Sequence, residues 1–276
     1  MALNINTNVA SEQVQKNLLG NQAKLQTSFA RLSSGLRINT AKDDAAGLAI
    51  SENLKSQIRS FNVAERNAGD GISLAQTAEG ALGEVHDILG RMRELAVQAS
   101  NGTLTIGDRA FVQTEFSSLQ AEVTRIQGSA KFNGKPLLAA ASTLITLQVG
   151  LSNSTSDHIG VKLGGVSLAT ITGAGTLLSG AGETNALAAL STIDTAIGNV
   201  STARSTFGAA MNRLEVAQSS IQTMRLNLSS ANSRIRDVDV ASETASLSRN
   251  QVLTQAGISV LAQANQLPQL AFGLLQ

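Results

Sequence analysis

The sequence contains no cysteine, no tryptophan and no tyrosine, and only seven phenylalanines among its 276 residues. Without cysteine there are no disulfides, thiolate metal sites or cysteine nucleophiles, and the redox compartment cannot be read from the chain. So few aromatics leave little to stack on bases or to line an aromatic ligand pocket. A compact enzyme core usually leans on aromatic bulk, so that class is disfavoured too. Neither sign of charge is in excess: 21 basic residues meet 20 acidic ones for a formal +1. Nucleic-acid binding therefore has no electrostatic footprint. No run of about 18 apolar residues is present to cross a membrane. The start, MALNINTNVASEQVQKN, lacks the basic residues and apolar stretch of a Sec-type signal. The expectation is a soluble chain with no cofactor, no metal, no nucleic-acid partner and no membrane insertion.

What the chain does have is periodicity. Leu54, Phe61, Ala68, Ala75, Leu82, Leu89 and Ala96 recur every seven residues. Ile58, Ile72, Ala78, Val85, Met92 and Ala99 form a companion row. A heptad sustained over that length predicts a coiled coil or a long bundle helix. Asn101-Gly102 ends it, and a further helix is expected from a cap at Asp108 through Phe111, Phe116, Leu119, Val123 and Ile126. The far half repeats the pattern in Ile193, Val200, Phe207, Leu214, Ile221 and Leu228, with Ile197, Ala203, Ala210, Ala217 and Met224 beside them. Two such seams satisfy one another by packing antiparallel, which predicts a rod-like bundle.

Between the seams the texture changes. Lys131-Phe132-Asn133-Gly134-Lys135-Pro136 is a turn signal. Residues 143–149 and 157–163 alternate in hydropathy around Ser152-Asn153-Ser154, as a β-hairpin would. Residues 164–183 read as loop or weak strand. The fold expected is mainly α, a long antiparallel bundle with a small hairpin region, plus a terminal two-helix coiled coil. The domains expected are residues 1–43 together with 233–276, and residues 44–232 with a β-rich segment at about 137–183.

The two chain ends carry the main functional signal. Val14, Leu18, Leu25, Phe29 and Leu32 make one amphipathic face near the start. Residues 240–267 place apolar groups, among them Val252, Ile258 and Leu261, nearly all round a helix that has no charge after Arg249. Such a helix needs burial on several faces, and one N-terminal partner cannot provide them all. These eight residues are therefore expected to drive polymerisation, the ends ordering when other copies complete them.

Residues 29–51, FARLSSGLRINTAKDDAAGLAIS, interrupt the helical pattern. Gly35 suits a left-handed helix cap. Asn39, Thr40, Asp43 and Asp44 supply caps and dipole-favourable charge for the next helix, with Thr40 and Asp43 at capping-box spacing. Ser229-Ser230-Ala231-Asn232, ahead of Asp237 and Asp239, is expected to be a facing interruption. Other constellations are thin. Asp43-Asp44 lack companion ligands, His86 and His158 lie far apart, and Gly173, Gly175 and Gly180 lack the Lys-Ser/Thr of a phosphate loop. No catalytic constellation emerges. Gln255, Gln263 and Gln266 are either ordinary polar positions or hydrogen bonds between stacked copies.

The stretch SFARLSSGLRINTAKDDAAGLAISENLKSQIRSFNVAERNAGDGISLAQTAEGAL resembles the N-terminal signature of bacterial flagellin. RMRELAVQASNGT and KFNGKPLL extend that resemblance, and SRIRDVDVASETASLSRNQVLTQAGISVLAQANQLPQLAFGLLQ resembles the C-terminal signature. The similarity leaves out only about residues 137–190, where many flagellins carry large outer domains, so this is a short form. It implies a structural, non-enzymatic subunit of the extracellular flagellar filament, secreted unfolded through the flagellar type III apparatus and serving motility. Implied partners are other copies of the chain, an export chaperone, and cap and junction proteins. Gly35, Asn39, Asp43 and Asp44 would form the spoke between two shells. Recognition by Toll-like receptor 5 is also implied, through Arg91, Leu95 and Glu115, although Gly90 departs from the longer polar residue often found there. A hook–filament junction protein, similar at both ends, is the alternative.

Overall fold

The computed structural model describes residues 7–166, 168–173, 176–179 and 183–273. The chain divides into two compact units, one formed by residues 1–58 and 227–276 and the other by residues 59–226. The division falls inside two long helices, so the terminal unit takes a larger share of each than the domain limits read from the sequence.

The terminal unit is built on α1 (Val9–Ser34) and α6 (Val240–Gly273), with the beginning of α2 (Ala45–Ala99) and the end of α5 (Thr184–Arg236). Asn8 caps α1, its side chain accepting from Ser11 N at 3.1 Å. Gly35 closes the helix with φ of 71°, a left-handed conformation that costs glycine little. The cap of α2 is Asp44, whose Oδ1 accepts from Gly47 N at 2.8 Å. Thr40 and Asp43 instead tie the loop, Asp43 Oδ2 accepting from Thr40 N and Thr40 Oγ1 at 2.9 and 3.0 Å. The expected break at Ser229–Asn232 does not occur. Nothing in Ser-Ser-Ala-Asn forbids a helix when its neighbours carry it, and α5 runs on to Arg236. The real break is Asp237-Val238-Asp239, where Asp239 Oδ1 receives Ala241 N and Ser242 N and starts α6.

The second unit holds the rest of α2 and α5, α3 (Ile106–Ser129), a short α4 (Ala169–Thr172) and two hairpins. Ala68, Ala75, Leu82, Leu89 and Ala96 of α2 are all buried, as are Ile193, Val200, Phe207, Leu214 and Ile221 of α5. The expected seams are thus the core, alternating bulk with alanine so that the helices approach closely. Arg93–Asp194, Arg204–Glu79 and Arg225–Glu65, at 2.7, 2.6 and 2.7 Å, follow one another in opposite order along the two helices. The pair is antiparallel. Met224 departs from its companion row and is half-exposed.

Thr105, one turn before the expected Asp108, caps α3; Asp108 is its reciprocal partner in a capping box. Phe116 and Val123 are buried, but Phe111 is 79% exposed. Five residues at about 100° each leave Phe111 roughly 140° from Phe116, off the buried stripe. Arg109 is buried and donates to Ala99 O and Asn101 O at 3.0 and 3.2 Å, closing the end of α2. Strands β1 (Lys131–Phe132) and β2 (Lys135–Pro136) pair antiparallel across Asn133 and Gly134, whose φ values of 47° and 77° fit a type I′ turn. Strands β3 (Thr143–Gln148) and β4 (His158–Leu163) form the expected second hairpin, with Ile159, Val161 and Leu163 buried. Among the described residues of 164–183 the regular element is the single turn of α4 rather than a strand; Gly175 and Gly180 lie outside the described residues.

Candidate assembly surface

The α1–α6 pair follows the heptad rule but fills it unusually. On α1 the side facing α6 runs Ser11, Val14, Leu18, Asn21, Leu25, Ser28 and Leu32; on α6 it runs Glu243, Leu247, Asn250, Thr254, Gly257, Leu261 and Ala264. More than half of these are polar or small. Ser11 Oγ donates to Asn265 Oδ1 at 2.8 Å, and Asn8 Nδ2 donates to Ala264 O at 2.8 Å. A β-carbon on Gly257 would stand 2.9 Å from Leu18 Cδ1, so this glycine lets the two helices close up. Arg31 reaches Glu243 at 3.7 Å and Asp43 at 4.0 Å, which ties α1 to both α6 and the loop.

The eight residues expected to drive polymerisation divide into two sets. Val14, Leu18, Leu25, Leu32 and Leu261 are half-buried in the seam between α1 and α6. Phe29, Val252 and Ile258 face outward, 54%, 64% and 54% exposed. They are not alone, because Val9, Leu19, Ile50, Val240, Leu253 and Val260 are large apolar residues exposed in the same unit. Val240, Leu253 and Val260 belong to the apolar circumference read from residues 240–267, whereas Val9, Leu19 and Ile50 were missed, the first two because they lie off the row used for α1. Gln255, Gln263 and Gln266 are exposed.

The joint brings its two strands of chain together. Arg37 N donates to Arg236 O at 2.6 Å, Val238 N to Gly35 O at 3.1 Å, and Arg37 Nη2 to Ile235 O at 2.7 Å. Asn39 N adds a 3.2 Å bond to Asp43 Oδ2. Bonds from Thr40, backbone first and hydroxyl second, hold the Asp43 carboxyl below the usual aspartate range; the nearby Arg31 charge adds to this. Arg236 Nη1 meets Glu52 Oε1 at 2.5 Å.

Arg91, Leu95 and Glu115, expected from the resemblance to meet a receptor, lie in the second unit and split in the same manner. Arg91 donates to Glu94 Oε2 at 2.8 Å and to Glu115 Oε1 at 2.9 Å, and all three are exposed. These carboxylates, Glu94 foremost, raise the Arg91 pKa. Leu95 is 2% exposed and belongs to the core, so it is not available to a partner at this surface. Among the described residues no three His, Cys, Asp or Glu side chains gather as a metal site, and no helix is long and apolar enough to cross a membrane.

Residues 5–143 match the family profile described as the bacterial flagellin N-terminal helical region, and residues 190–275 match that of the bacterial flagellin C-terminal helical region. A flagellin of Halalkalibacterium halodurans is 45% identical over 272 residues, covering 99% of each chain. The flagellar filament 33 kDa core protein of Treponema phagedenis is 39% identical, also over 99% of each. The crystal structure of Bacillus cereus flagellin covers 60% of this chain and 94% of its own, at 32% identity and a TM-score of 0.50. A putative flagellar hook-associated protein from Vibrio parahaemolyticus shares the fold at a TM-score of 0.63, with 16% identity over 71% of this chain and all of that one. With both helical regions matched in order and relatives similar from end to end, the chain belongs to the bacterial flagellin family.

Proposed function

We propose that the protein is a structural subunit of the extracellular flagellar filament, and that it polymerises through the outward apolar faces of α1 and α6. The observation behind this is that pairing the two terminal helices uses a half-polar seam and still leaves Phe29, Val252 and Ile258 in water. Burying each such side chain against another copy would contribute about 1.5–3 kcal/mol. Gly35, Asn39, Asp43 and Asp44 serve in this reading as a braced spoke that leads from α1 into the start of α2. Export runs through the flagellar type III apparatus as an unfolded chain, with a chaperone holding it and cap and junction proteins receiving it. Toll-like receptor 5 would meet the charged surface at Arg91 and Glu115, with Leu95 shaping that face from beneath.

The test is removal of residues 250–276. Seeded with filament fragments and viewed by negative-stain microscopy, the full chain should elongate and the shortened one should not. Circular dichroism should show the shortened chain retaining the helices of the second unit. Normal filaments from the shortened chain would overturn the proposal.

A further inference from the structure

A groove of about 500 Å3 lies beside the second hairpin and plays no part in the assembly surface. It is lined by four consecutive residues of β3, Thr143 to Thr146, but by Leu163 alone from β4. A groove over the face of a sheet would touch alternate residues of both strands. Consecutive contacts on one strand mean that it runs along the outer edge of β3, with Lys135, Pro136 and Ala139 forming the opposite wall.

The pairing register identifies the backbone groups on that edge. Val149 N donates to Asp157 O at 2.8 Å, so residues 149 and 157 form a hydrogen-bonded pair. Pairs of that kind alternate in an antiparallel ladder. With Leu147 opposite Ile159 and Ile145 opposite Val161, the odd-numbered residues bond to β4. Leu144, Thr146 and Gln148 therefore turn their N–H and C=O groups away from it. Gln148 O is taken by Asn67 Nδ2 at 3.0 Å, which closes one end of the edge. Leu144 and Thr146 keep an unpaired edge, and the Leu144 side chain is 66% exposed.

Charge decides what would fit there. Residues 59–226 hold three lysines, Lys131, Lys135 and Lys162, and all three are in the hairpins. Lys135 lines the groove and Lys162 stands directly across the ladder from Leu144. Among the described residues of this unit every ion pair uses an arginine, so the three lysines are left without a carboxylate. No acidic side chain lines the groove, and the one carboxylate of the hairpins, Asp157, is engaged by Ser152 N and Ser152 Oγ. An unpaired edge beside an apolar floor and uncompensated cations suits an extended acidic peptide.

We propose that β3 is a strand-acceptor site for an extended peptide that alternates acidic and apolar residues. Its backbone pairs with Leu144 and Thr146, its apolar side chains lie on the sheet face that carries Ile145 and Leu163, and its carboxylates lie on the opposite face, which carries Leu144 and Lys162.

The probe is a fluorescein-labelled Glu-Val-Glu-Val-Glu-Val peptide, titrated against the unseeded full chain by fluorescence anisotropy. The peptide should bind saturably and weaken as salt rises. Methylating its two central backbone nitrogens, which leaves charge and side chains unchanged, should weaken binding by about tenfold or more, as should Thr146→Pro. Proline at Thr146 removes an edge N–H that no ladder bond uses, so the hairpin should persist in amide NMR spectra. Lys135→Glu combined with Lys162→Glu should abolish binding. Equal affinity for the methylated peptide would reduce the site to charge attraction and overturn the proposal. Equal affinity for a Lys-Val repeat, or no saturable binding of the acidic peptide, would overturn it as well.

Discussion

The α2–α5 pair of the second unit and the α1–α6 pair of the terminal unit obey the same seven-residue rule, yet only the first makes a core from its own residues. Its seam buries Leu82, Leu89, Met92, Phe207 and Leu214 completely or nearly so. The terminal pair places Ser11, Asn21, Ser28, Asn250, Thr254 and Gly257 at equivalent positions, and its longer apolar residues are only half-buried. Polar and small seam residues set register and lower affinity, because they bury little apolar area. Periodicity alone therefore says which helices pair, and the composition of the stripe says whether the pair is self-sufficient.

The comparison can be broken most directly at assembly. Substituting Phe29→Asp, Val252→Asp and Ile258→Asp should abolish seeded elongation, read by light scattering. The same changes should move the urea midpoint of the monomer little, since exposed sites usually contribute within about 0.5 kcal/mol each. Large monomer destabilisation would place these residues in an internal core instead.

Next in size is the contrast between seams. Leu82→Ala should destabilise the monomer by about 2–5 kcal/mol, as for a fully buried leucine, whereas Leu18→Ala should cost clearly less in the monomer. Equal losses in urea unfolding would erase the distinction between the two pairs. Removing the capping hydroxyl with Thr105→Ala should cost about 1 kcal/mol in the same assay. Arg204→Ala, which removes a partly exposed ion pair with Glu79, should cost about 0.2–1 kcal/mol and lose its effect in high salt.

The smallest expected effect is at the joint. Because the folded Asp43 pKa is depressed, its contribution is fully present above the ordinary aspartate value of about 3.9 and is lost as pH falls through the lower folded value. Protection of the Asn39 and Thr40 amides should follow that acid limb by NMR. In Asp43→Asn the limb should vanish, and its persistence would assign the titration to another group.

Much of this was legible beforehand because it is local. Heptads fixed the long helices, Gly35 fixed a left-handed cap, and Asn133-Gly134 fixed a type I′ turn. Alternation located the second hairpin to within a residue at each end. The failures were of two kinds. Ser229–Asn232 looks like a breaker only when propensity is judged without the neighbouring helix that supports it. Phe111 was misjudged, and Leu95 left undecided between core and surface, because a stripe gives a direction on its own helix, whereas exposure depends on where neighbouring helices lie.

By itself, then, the sequence determined the helices, their seven-residue seams, the glycine stop and the hairpin, since each follows from backbone conformation and spacing along one stretch of chain. Tertiary structure alone decided which half of the apolar residues at the ends meet each other and which are left facing water. It also decided that β3 keeps an open edge beside unpaired lysines. Both depend on the azimuth and register at which distant segments pack, and no single segment carries that information.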